Sequence, residues 1–119
     1  MKAAELISQA LEQKGIESNY STSNTDYGTS CYFTFYKDSE SLERLKIRIS
    51  DHSVTNRYRM EKEMHIMDNQ VNEQKANSVA ETVEYYLFPE RFIFMPAGKV
   101  ESGKKYHMIN GKLHQRIRK

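Results

Sequence analysis

The segment Ser30–His52, SCYFTFYKDSESLERLKIRISDH, constrains this chain more than any other. Its first arm alternates Cys31, Phe33 and Phe35 with Tyr32, Thr34 and Tyr36. Its second alternates Leu45, Ile47 and Ile49 with Arg44, Lys46 and Arg48. Apolar residues at every second position describe strands buried on one face, so the arms read as a β-hairpin joined through Lys37–Ser41. Successive side chains of a strand point to opposite faces. If the apolar sets share the core face, two tyrosines and three basic residues collect on the other.

The flanking segments supply what can cover the apolar face. Ala3, Leu6, Ile7, Ala10 and Leu11 form a helical stripe, Gly15 is placed as a left-handed C-terminal cap, and Ile16 as the apolar contact beyond it. Residues 18–23 read as a short strand around Tyr20 and Thr22, followed by the turn formers Asn24, Asp26 and Gly28. Ser50-Asp51-His52-Ser53 reads as a turn. From Val54 to Met67 two periods compete: Met60, Met64 and Met67 fit a helix, Met64 and Ile66 a strand, and the expectation is a loop with one short piece of either. A second helix, capped by Asp68 or Asn69, runs to Leu87 with Ala76, Val79, Ala80, Val83, Tyr86 and Leu87 inward, and Pro89 ends it.

Phe92–Met95 is a short apolar run between two prolines, read as a strand or as a plug beneath the sheet. Asn110-Gly111 is a strong signal for a two-residue turn needing positive φ at both positions. Pairing outward from it sets Met108 against Leu113 and His107 against His114. The fold class expected is α+β: an antiparallel sheet with two helices on one face, in the order α-β-β-β-α, plus a C-terminal β-ribbon. At 119 residues the chain is expected to form one domain, 1–119.

Composition narrows the setting. No apolar run approaches the roughly 18 residues of a membrane span, and Glu5, Gln9 and Glu12 interrupt the apolar core that a secretory signal requires, so a cytoplasmic location is expected. Without secretion, the glycosylation pattern Asn19-Tyr20-Ser21 has no consequence. Cys31 is the sole cysteine, which excludes an internal disulfide and fits a small buried apolar group. The net charge of +2 conceals an asymmetry: the last 21 residues carry seven Lys or Arg against Glu101. A basic end of this kind fits an electrostatic partner, and equally a solvated tail.

Four constellations could carry chemistry. Tyr32 and Tyr36 beside Arg44, Lys46 and Arg48 could stack bases and neutralise phosphates, with Lys104, Lys105, Lys112, Arg116 and Arg118 as further binding cations. The same residue types are also what an ordinary wet sheet face carries. His107 across from His114 could begin a metal site with His52, His65 or Cys31, but two ligands are not a site and no metal is expected. Asp51 and His52 beside Ser50 or Ser53 carry the residue types of acid–base chemistry, at a spacing that favours a turn. Met60, Met64 and Met67 could face a protein partner or fill a core. No cofactor motif is present, and no enzyme is expected.

Two resemblances add to this reading. KANSVAETVEYYL at Lys75–Leu87, after a helix and three strands, resembles the second helix of the double-stranded RNA-binding domain; of that family's lysine cluster only Lys75 has a counterpart. KIRISDHS at Lys46–Ser53 resembles a segment of small phage and mobile-element proteins. That resemblance implies a non-enzymatic inhibitor of host defence of the anti-CRISPR type, acting in the bacterial cytoplasm on a host protein or nucleoprotein complex. The alternative is a nucleic-acid-binding module using the basic, aromatic sheet face and the basic ribbon.

Overall fold

The computed structural model describes residues 1–38, 40, 42–53 and 62–119. Within them the chain divides into two compact units, Met1–Leu87 and Phe88–Lys119. The first holds helix α1 (Lys2–Gln13), strands β1 (Tyr20–Thr25), β2 (Gly28–Tyr36), β3 (Arg44–Ser50) and β4 (Lys62–Met67), and helix α2 (Glu73–Leu87). The second holds β5 (Phe92–Pro96), β6 (Lys105–Ile109) and β7 (Lys112–Arg118). No helix among the described residues is long and apolar enough to cross a membrane.

The first unit is an α+β layer pair. Its sheet has the order β1-β2-β3-β4, with β1–β2 and β2–β3 antiparallel. The alternation acts as expected: Cys31, Phe33, Phe35, Leu45, Ile47 and Ile49 are all buried. Ile7 and Leu11 of α1 and Val79, Ala80 and Val83 of α2 are buried with them. Burying each such large aliphatic or aromatic side chain contributes about 1.5–3 kcal/mol, so this shared apolar layer holds helices and sheet together. Phe33 and Phe35 lie with near-parallel rings, centroids 6.2 Å apart, and Tyr20 tilts against Phe33 at 5.1 Å.

The α1 cap forms as its sequence reads. Gly15 has φ +73°, its N–H donates to Glu12 C=O, and the Ile16 N–H reaches back to Leu11 C=O. That is the paired bonding of a helix closed by a left-handed glycine. Ile16 is buried just beyond it.

Three details differ from the sequence reading. The sheet has a fourth strand, since Lys62–Met67 pairs in parallel with β3; the sheet is therefore mixed rather than wholly antiparallel. Of the two periods competing there, the strand wins from residue 62 on, while 54–61, with Met60, lie outside the described residues. Met64 and Met67 consequently sit on opposite faces of β4 rather than on one stripe. Next, α2 starts at Glu73. Asn72 caps it by accepting the Lys75 N–H at 2.8 Å, whereas Asp68 and Asn69 are taken up in a preceding 3-10 turn, Asp68–Gln70. Lastly, Glu84 belongs to the buried face of α2, while Tyr86 and Leu87 are only half-buried.

The second unit is a three-stranded antiparallel sheet with β7 at its centre, β5-β7-β6. Phe92–Pro96 is thus an edge strand, the position where Pro96 needs no ladder N–H. Asn110 and Gly111 both have positive φ, +52° and +75°. The turn sets Met108 against Leu113 and His107 against His114, the register read from the sequence. One face of this sheet carries Ile93, Met95 and Met108, all exposed; the other carries Phe92, Phe94, His107, His114 and Arg116.

Candidate nucleic-acid interface

The β2–β3 register decides which outward residues meet. Tyr32 is opposite Arg48, Thr34 opposite Lys46, and Tyr36 opposite Arg44. All five candidate residues of this hairpin therefore share one face, the one turned away from the buried apolar set. Tyr32 is its centre: the Arg48 guanidinium lies 5.2 Å from the ring centroid and the Lys46 ammonium 5.9 Å. Contacts of this kind contribute about 0.5–1 kcal/mol each at exposed sites. They keep two cations beside one aromatic ring. Tyr36 is 53% exposed at the other end. The neighbouring strands extend the face with Ser21 and Ser23 of β1 and Glu63 and His65 of β4.

Arg48 is also held from below. Its Nε and Nη2 both donate to Ser30 Oγ, at 3.2 and 3.1 Å, and Ser30 is buried. Composition alone could not single out Ser30; the signal is its place two residues before Tyr32, on the same face of β2.

Beyond Ser30 the face ends in a clamp. Thr29 N–H donates to Asp51 Oδ1 at 2.9 Å, and Asp51 N–H donates back to Thr29 C=O at 3.2 Å. His52 Nδ1 lies 2.9 Å from the same Asp51 oxygen. The His52 contact, then the Thr29 N–H, hold the Asp51 carboxyl below its ordinary range. Ser50 Oγ donates to His52 C=O at 2.6 Å, and His65 Nε2 stands 2.7 Å from Ser50 Oγ. With its one proton given to a carbonyl, the Ser50 hydroxyl can only accept from His65. This is the bonding of a locked turn: Ser50, Asp51 and His52 join the end of β3 to the β1–β2 hairpin and to β4.

The remaining candidate cations belong to the second unit. Lys105 pairs with Arg116 in register, and Lys112 flanks the Asn110-Gly111 turn. Arg116 is only 7% exposed and Arg118 is exposed, and both guanidinium groups lie over Phe92, at 5.4 and 5.3 Å. Lys104 is engaged by Glu101 at 2.7 Å, which raises its pKa. Arg116, being buried, is not a surface cation. His107 and His114 do face each other, but Phe94 meets the His107 ring edge-on at 5.0 Å, and His114 Nδ1 bonds Lys112 C=O. Burial and then Arg116 lower the His107 pKa. Among the described residues no group of three or more His, Cys, Asp or Glu is placed to hold a metal ion. Cys31 is a free, buried thiol.

One sheet face bears the two tyrosine rings and three cations, half-buried except for the exposed Tyr36, and the opposite face is buried together with residues of both helices; the fold is α+β. No protein-family model, no curated protein and no solved structure matches this chain.

Proposed function

We propose that this chain is a non-catalytic binding protein whose basic, aromatic sheet face takes single-stranded nucleic acid. The observation that carries this reading is Tyr32, with Arg48 and Lys46 beside its ring on the sheet face opposite the buried apolar set. Unpaired bases stack on exposed rings and on guanidinium planes, while nearby cations neutralise the phosphates. Base pairs would hide those stacking surfaces. Arg44, Lys46 and Arg48 are three cations in one row, so the affinity should fall with salt at a log–log slope of about −2.

The test is fluorescence anisotropy with labelled oligothymidylate and oligouridylate across a salt series. Arg44→Glu combined with Arg48→Glu should weaken binding more than about tenfold. Equal binding by the double variant and the unaltered chain would remove the sheet face from this role.

A second reading is the inhibitor of host defence that the KIRISDHS resemblance implies. One observation favours a protein or nucleoprotein target: Tyr27, at the tip of the β1–β2 hairpin, is 85% exposed. Its N–H is bonded by Thr25 Oγ1, whose own hydroxyl donates to Gly28 C=O. A projecting tyrosine on a hydrogen-bonded turn is a frequent anchor in protein interfaces. In that case expression of the chain should raise phage plating on a defence-bearing strain and not on its defence-free counterpart, and Tyr27→Ala should reverse the gain. Equal plating on both strains rejects the inhibitor.

A further inference from the structure

We infer that a single strand bound to this face runs along β2 and β3, with one phosphate anchored at Arg48 by a guanidinium that Ser30 holds in position. This rests on the nucleic-acid reading and adds its binding mode. The register sets Tyr32 opposite Arg48 and Tyr36 opposite Arg44, so a ring and a cation recur along the face, with the guanidinium lying over the ring at Tyr32. The two rings stand on one strand four residues apart, about 13 Å at the usual rise per residue. A ligand following the strands meets ring and cation twice. One crossing them meets Ser21, Tyr32, Arg48 and His65, with a single ring.

The two units are not equivalent. Arg48 Nε and Nη2 both bond Ser30 Oγ, and Ser30 is 3% exposed, so its own position is set by the sheet. The ring of Tyr32 restrains the guanidinium further. Ser30 occupies the Nε edge, which leaves the Nη1 edge of the planar fork for two oxygens of a phosphate. Among the described residues Arg48 makes no ion pair with a carboxylate. A cation already oriented loses less freedom on binding than one free to swing. Ser30 is thus a positioning residue, acting through Arg48.

The experiment measures anisotropy of a labelled oligothymidylate of about twelve nucleotides, within the usual range of single-strand sites. Arg48→Lys keeps the charge but loses the fork, and should weaken binding about tenfold. Ser30→Ala should weaken it about threefold with the salt slope unchanged, because no charge is removed. In the Arg48→Lys background Ser30→Ala should cost nothing more. Tyr32→Leu and Tyr36→Leu should each weaken binding by at least about fivefold. Thermal melts verify that every variant folds. If Ser30→Ala and Arg48→Lys bind as the unaltered chain does, the anchor is wrong and the nucleic-acid reading stands. A loss at Tyr32 with none at Tyr36 overturns the alignment. No binding by the unaltered chain overturns the reading and the inference together.

Discussion

Lys14 Nζ, just beyond the end of α1, stands 3.8 Å from Glu84 Oε1 of α2, and the Glu84 side chain is only 1% exposed. A carboxyl taken into a helix–helix contact loses its water, and a cation at the rim compensates part of that loss. The pair links the two helices that cover the sheet.

Lys14→Met should therefore destabilise the fold by about 1–3 kcal/mol, the range for leaving a buried polar group undersatisfied. Adding Glu84→Leu should return most of the loss, since an apolar pair of similar volume needs no compensation. Urea unfolding of the two single variants and the double variant measures both. Additive losses would show that the groups do not interact.

Gly28 has φ +136°, and a Cβ there would run into Asp51 Oδ1 and the His52 ring. Gly28→Ala should cost more than about 1 kcal/mol, through backbone strain and through displacement of the clamp. The midpoint of thermal unfolding reports it. Gly98→Ala, where an added Cβ meets nothing within 4 Å, is the control and should leave the midpoint nearly unchanged.

Asp51 sets the acid limb of stability. Its folded-state pKa lies below the ordinary 3.8, so the unfolded chain binds a proton more readily. The stabilisation is complete above that ordinary value and is lost as pH falls through the folded pKa. Asp51→Asn should flatten this part of the acid limb. Urea midpoints measured from about pH 2 to 5 test this, and parallel curves for the two proteins would exclude a role for the clamp.

His107 acts in a separate window. Burial and the Arg116 charge depress its pKa below 6.5, so the folded second unit prefers the neutral ring. Stability associated with it is complete above pH 6.5 and declines as pH falls through the depressed value. An NMR titration of the His107 ring should give a pKa below 6.5, and His107→Gln should remove the corresponding loss of amide protection in β6 and β7. A His107 pKa at or above 6.5 would contradict the packing described here.

Much of the candidate site was legible because its information is local. Period-2 alternation assigned Tyr32, Tyr36, Arg44, Lys46 and Arg48 to one face, and the Asn110-Gly111 turn set the His107–His114 register within a few residues. Gly15 as the α1 cap is equally local. The start of α2 is ambiguous in the sequence because Asp68, Asn69 and Asn72 can all cap a helix, and the backbone path into the helix selects Asn72. Glu84 could have been found: with Ala76, Ala80 and Val83 it lies on the same stripe, and only its charge argued against burial.

The sequence by itself determined the hairpin, its two faces, both helices and the tight turn of the C-terminal ribbon, because each follows from spacing, capping or turn chemistry within about ten residues. Tertiary structure decided the rest. A parallel partner for β3 is chosen across a long connection, so β4 had no local signature beyond Met64 and Ile66. Ser30 under Arg48, and Asp51 bonded to Thr29, depend on which residues distant strands bring side by side. Period can say which face a side chain takes; only the register of pairing says which neighbour it meets.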